Sequence, residues 1–248
     1  MTQETQIIMG MPITIEIVDS MAARIMDEVF AYFMGVDQRF STYKPESEIS
    51  AFNQGLIASV QLSAEMQEVL TLAEQTKRET NGYFDIRRAD GTLDPSGIVK
   101  GWAIRNAARL IEEHGVENYF VEAGGDIQSG GRPAEDQEWK FGIRNPFDES
   151  QIIKALAPRG KGIATSGTSA RGQHIYNPHL MNNPIEDIVS LTVIGANVLE
   201  ADRFATAAFA MGRAGIHFIE KTPGLEGYLV DTQGIATLTR GFGAYVTP

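Results

Sequence analysis

In Ala201-Asp202-Arg203-Phe204-Ala205-Thr206 a carboxylate and a hydroxyl stand four residues apart. On a helix that spacing puts both on one face, so two hard oxygens can reach one divalent cation. The small Ala201, Ala205, Ala207 and Ala208 leave room for a ligand to approach. The same pair also suits an Asp that favours the helix dipole and a Thr packed by its methyl. Gly124 and Gly125 precede Asp126 after an apolar stretch. Glycines accept positive φ and let the backbone come close to a ligand, with Asp126 placed to orient a ligand hydroxyl or a metal-bound water. A plain turn between strands accounts for them on their own.

Thr165, Ser166 and Gly167, followed by Thr168 and Ser169, offer hydroxyls and backbone donors after another apolar stretch, which suits a pyrophosphate and equally an ordinary loop. His174 follows in a polar setting; an imidazole titrating near neutrality can take a proton from an attacking alcohol, although a lone His is more often structural. Lys100 is expected at the start of a helix, where a cation opposes the dipole and so points to a phosphate or carboxylate partner; a solvated lysine fits as well. Tyr43, in Phe40-Ser41-Thr42-Tyr43, is placed to stack on a flat ring or to close a core.

The elements that must position these groups alternate in type. Ile13, Ile15 and Ile17 alternate with Thr14, Glu16 and Val18, the signature of a half-buried strand. A helix capped by Asp19 or Ser20 follows, with Ile25, Val29, Phe33 and Val36 as its apolar stripe. Residues 41–55 read as a polar loop with at most a short helical turn. Ser63 starts a second helix that ends at Asn81-Gly82 in a left-handed cap, and a third runs from about residue 101 to 114. The second half predicts strands near 119–123, 139–144, 152–156, 162–165, 188–194, 228–230 and 235–238, and helices near 199–211 and 215–221. With no linker or low-complexity segment, residues 1–248 are expected to form one α/β unit.

Composition narrows the function. The 248 residues carry a formal charge of −11, which argues against a nucleic-acid surface or an anionic-membrane surface. A phosphate ligand on such a chain needs local help from a cation, backbone N–H groups or a few placed Lys and Arg residues. There is no cysteine, which excludes disulfides, thiolate metal sites and Cys nucleophiles. No apolar run reaches the roughly 20 residues needed to cross a bilayer, so no membrane insertion is expected. The opening residues lack a basic stretch followed by an apolar one, and the chain reads as cytoplasmic.

In order and spacing these segments resemble the ApbE-type flavin transferases, which attach FMN from FAD to protein threonines. The resemblance runs from Met9-Gly10 through Phe40-Ser41-Thr42-Tyr43, Ser47-Glu48-Ile49 with Asn53, Gly82-Tyr83-Phe84-Asp85, and Asp94 to Gly101. It continues through Ala123-Gly124-Gly125-Asp126, Thr165-Ser166-Gly167, residues 174–178, and Asp202 with Thr206. It implies an α/β (α+β) fold of mixed, largely antiparallel sheets packed with helices. It implies that Asp202 and Thr206 hold Mg²⁺ with the backbone carbonyl of Gly97. FAD would touch Met9, Tyr43, Tyr83, Phe84, Asp85, Asp94 and Lys100, and His174 would be the base on the acceptor threonine of a flavoprotein. Two departures stand out. Asn177 and the following His179-Leu180-Met181-Asn182 replace the family's Asp-Pro and Thr-Gly steps, and Ala205 stands where some relatives carry a second carboxylate. Two other activities suit the same pocket: an FAD pyrophosphatase, with water in place of the protein hydroxyl, and a flavin-binding protein without turnover.

Overall fold

The protein is described by a computed structural model covering residues 2–168, 175–180 and 183–247. In chain order the elements are β1 (Thr2–Ile8), β2 (Met11–Ile17), α1 (Ala22–Phe40), α2 (Glu48–Asn53), α3 (Ala64–Glu79), α4 (Ser96–Glu113), β3 (Tyr119–Ala123), β4 (Asp126–Gly130), β5 (Phe141–Asn145), β6 (Asp148–Leu156) and β7 (Gly162–Gly167). The short β8 (Tyr176–Asn177) and β9 (Asn183–Pro184) follow, then β10 (Ile188–Gly195), α5 (Val198–Ala210), α6 (Gly215–Lys221), β11 (Glu226–Asp231), β12 (Ala236–Leu238) and β13 (Val246–Thr247).

Eight strands pair in the order β1-β2-β3-β4-β7-β10-β11-β12, every neighbouring pair antiparallel. β13, β6 and β5 form a second, three-stranded sheet. Side chains alternate across a strand, and the burial follows that rule. Ile13, Ile15, Ile17, Val121 and Ala123 share a core with α1 and α4, while Ala164, Leu191 and Val193 pack on α5 and α6. The opposite face carries Ile163, Ile194, Tyr228 and Val230, buried against Ile143 and Leu156 of the small sheet. Helices therefore cover one face of the large sheet, and part of the other lies under the small sheet.

β4, β8, β9 and β13 add to the strands expected from sequence and β6 starts at Asp148, and three further differences have a local cause. β1 precedes the expected first strand; its polar TQETQII sequence shows no apolar alternation, and at the sheet edge its residues are largely exposed. The two strands are joined by a two-residue turn, Met9 and Gly10, both at positive φ. α1 starts at Ala22 without a side-chain cap; Asp19 instead accepts from the Met21 N–H at 2.7 Å. α4 starts at Ser96, five residues before the expected start, because Asp94 accepts the Ser96 N–H at 3.1 Å and Pro95 can precede a helix without losing a bond. The expected cap of α3 is present, with Asn81 at φ 51° and Gly82 at φ 81°.

Candidate functional site

Helix α4 begins at Ser96, so Lys100 lies in its second turn rather than at its tip. The dipole argument for an anion partner therefore does not hold, since the macrodipole fades within the first turn. The ammonium has partners inside the protein: Nζ is 2.7 Å from Asp126 Oδ2 and 3.7 Å from Asp202 Oδ1. Asp126 opens β4 immediately after the Gly124-Gly125 turn, whose residues take φ 57° and 92°. That turn closes the β3–β4 hairpin with Ala123 opposite Asp126, which turns the Asp126 side chain to the helix-covered face. The turn explanation of the two glycines is thus correct, and it also delivers a carboxylate to Lys100.

Asp126 is fully buried; its Oδ1 accepts the Thr165 N–H at 3.0 Å. Asp202, 2 % exposed on α5, accepts the Gly101 N–H at 2.8 Å through Oδ2. Burial pushes the Asp202 carboxyl well above the usual carboxylate range; the nearby Lys100 charge offsets this in part, and the Asp126 charge adds to it. Two buried carboxylates thus share one ammonium. Among the described residues, such a site is short of positive charge.

The second half of the candidate cation pair is adjacent. Thr206 is partly exposed, one turn beyond Asp202. A Cβ added at Gly97 would sit 3.5 Å from Thr206 Cγ2 and 3.3 Å from the Phe84 ring. The Phe84 ring and the Thr206 methyl thus both border the space beside Gly97, which a side chain there would fill. A carboxylate, a hydroxyl and a backbone carbonyl are the hard oxygen donors Mg²⁺ prefers, and the shortage of positive charge fits a divalent cation. Gly101 was not singled out from sequence for this site. A Cβ there would stand 2.7 Å from Asp202 Cβ and 2.9 Å from its Oδ2, so only glycine lets α4 approach α5 this closely. A glycine inside an otherwise helical stretch was the available signal.

The remaining sequence candidates divide. Phe84 is 3 % exposed and belongs to the main core. Tyr83 stacks edge-on against His179 with ring centroids 4.4 Å apart. Asp85 is paired with Lys77 at 2.7 Å, and Asp94 with Arg88. Met9 occupies the β1–β2 turn, at the same sheet end as Gly124, whose N–H bonds Pro12 O at 3.2 Å. Thr165, Ser166 and Gly167 form no loop; they complete β7, so alternation sends the Thr165 and Ser166 hydroxyls to opposite faces. Thr165 Oγ1 pairs with Thr192 Oγ1 at 2.9 Å. Tyr43 is 93 % exposed and closes neither a core nor a pocket. His174 lies outside the described residues.

The ApbE family model matches residues 9–90 and 87–229. The chain belongs to the ApbE family. It is 31% identical over 166 residues to the FAD:protein FMN transferase of Salmonella typhimurium, a match covering 63% of this chain and 46% of that protein. It is 30% identical over 175 residues to the same-named protein of Escherichia coli, covering 66% of this chain and 49% of that one. The chain thus spans about half the length of these relatives. The flavin transferase ApbE from Vibrio cholerae superposes with a TM-score of 0.84 at 23% identity, covering 98% of each chain. The ApbE protein from Thermotoga maritima gives 0.88 at 18% identity, covering 100% of this chain and 99% of the other. These two likenesses establish the fold of mixed helices and antiparallel sheets as the ApbE fold.

Proposed function

We propose that the chain is a Mg²⁺-dependent FAD:protein FMN transferase acting as one unit. It would move FMN from FAD to a threonine hydroxyl of an acceptor flavoprotein and release AMP. The observation that carries this reading is the meeting of Asp202, Asp126 and Lys100 beside Gly97 and Thr206, in a member of a family whose named relatives are FAD:protein FMN transferases. Asp202, Thr206 and the Gly97 carbonyl would hold Mg²⁺, which on diphosphate oxygens neutralises the charge that develops as the phosphorus is attacked.

The chain's own residues supply the rest. Asp126 holds the Lys100 ammonium beside the proposed cation ligands, where its charge would add to that of the cation toward a diphosphate. Met9, Tyr83, Asp85, Asp94 and the backbone at Phe84 would line the flavin and nucleotide path, with Gly124 and Gly125 letting the backbone approach. The threonine oxygen attacks the FMN-side phosphorus, its proton passes to His174, and the bond to the AMP oxygen breaks. Positioning and electrostatics carry most of such a barrier.

Incubation with FAD, Mg²⁺ and a candidate acceptor tests the reading. FMN-modified threonine and free AMP are expected together. Free FMN and AMP without an acceptor would instead assign FAD hydrolysis, and tight FAD binding with neither product would leave only a flavin-binding protein.

A further inference from the structure

Arg203 follows Asp202 but points away from it, and nothing in the proposed chemistry uses it. Its residue is 5 % exposed. The guanidinium reaches across to α3, where Nη1 donates to Thr76 Oγ1 at 3.2 Å and to Glu79 Oε2. Within α5, Nε and Nη2 donate to the two oxygens of Glu200 at 3.0 and 2.6 Å, and the cation lies 4.1 Å from the Phe204 ring centroid. A cleft of about 310 Å³ borders the group, lined among others by Glu79, Glu200, Phe218 and Leu225.

Because the guanidinium is buried while the Glu79 and Glu200 carboxylates stay partly exposed, the network contributes little net stability: desolvation of the cation and solvent screening offset the attraction. What it contributes is geometry. From Thr76 a short path leads on to α4. Thr76 O accepts from Thr80 Oγ1 at 2.7 Å, and Thr80 Oγ1 accepts the Phe84 N–H at 3.1 Å. The Phe84 ring meets Gly97 beside Thr206. Arg203, Thr76, Thr80 and Phe84 thus form a path of contacts that leads from α5 through α3 to Gly97 of α4, where the Thr206 methyl also faces.

We infer that Arg203 is a positioning residue: it fixes the loop of residues 80–85 against the cation-bearing face of α5, and thereby sets the span between the flavin-contacting loop and the Asp202–Thr206 pair. This rests on the flavin-transfer reading. The proposed cation ligands Gly97, Asp202 and Thr206 lie on α4 and α5, and those helices pack through Gly101 and Asp202 without Arg203. Loss of the guanidinium should therefore separate two affinities that a general loss of stability would not separate.

The test measures Mn²⁺ binding by electron paramagnetic resonance without flavin, and FAD binding with Mn²⁺ present, at a temperature where each variant is fully folded by circular dichroism. Arg203→Met should keep its Mn²⁺ affinity within about two-fold while its FAD affinity falls about ten-fold, with Arg203→Lys recovering part of the loss. Should Arg203→Met fail to fold, Thr76→Val, which removes one acceptor of the same strut, should show the same split at smaller size. Unchanged FAD affinity in the folded variants, or an equal fall in both affinities, would overturn the inference. Failure of the unaltered protein to bind FAD with Mn²⁺ would instead strike the flavin-transfer reading itself.

Discussion

Among the described residues, Asp202 shares the Lys100 ammonium with Asp126. Removing its charge while keeping its shape, Asp202→Asn, should lower Mg²⁺-dependent FMN transfer at least about 100-fold, measured by AMP release, because the cation loses its anionic ligand. Lys100→Met poses the converse problem. It strands the fully buried Asp126 carboxylate and should cost about 3 kcal/mol in urea unfolding, a good part of which Lys100→Met/Asp126→Asn should restore, since the double variant buries no lone charge. Equal losses in the single and double variants would contradict the pairing. Glu122 gives the pH prediction. Burial raises its carboxyl above 4.5, with Arg144 opposing and Asp126 adding to the shift. A raised folded value means that its stabilisation is fully present below the unfolded value and is lost as pH rises through the folded one. From pH 4.5 upward, the Tm of the unaltered protein should therefore decline relative to that of Glu122→Gln; parallel curves would show that Glu122 is not perturbed. At this scale the Asp202–Thr206 spacing is legible from residue type, whereas Gly97 enters only through the family resemblance and the helix-start argument for Lys100 fails because α4 begins at Ser96. The Lys100 partners are not legible, because they are joined across 26 and 102 residues of chain by sheet register and helix packing.

Among the elements, the crossing of α4 and α5 decides whether a site exists. Gly101 permits it, and Gly101→Ala would drive a methyl to within 2.7 Å of Asp202 Cβ. The expected cost is about 1–3 kcal/mol of stability by chemical denaturation. Transfer should fall with it even where the variant is folded, because Asp202 must shift; a variant with parental stability and activity would show that the helices do not meet here. Strands with apolar alternation, such as β2, and helices with one apolar stripe, such as α1 and α3, were readable because their periods match their burial. The sequence places the start of α4 five residues late, since Gly97 and Gly101 lower helix propensity and the reason for a glycine at 101, close packing on Asp202, lies far along the chain. β1 gave no signal for the opposite reason: an exposed edge strand buries too little to impose a pattern.

For the whole molecule, the charge of −11 leaves any phosphate ligand dependent on local positive charge. Where β4, α4 and α5 meet, the fold sets the Lys100 ammonium between two buried carboxylates, so a phosphate there would depend on a cation bound at the neighbouring oxygens. Ordered motifs made the ApbE fold legible from the sequence, whereas the packing of the small sheet under the large one depends on pairings such as β13 with β6, which join residues some 90 apart in the chain. The most direct test is mass spectrometry of an acceptor flavoprotein co-expressed with this chain or with its Asp202→Asn form. The account predicts an FMN adduct on an acceptor threonine with the unaltered chain and none with the variant; an unmodified acceptor in both, or an adduct that persists without the Asp202 carboxylate, would contradict it.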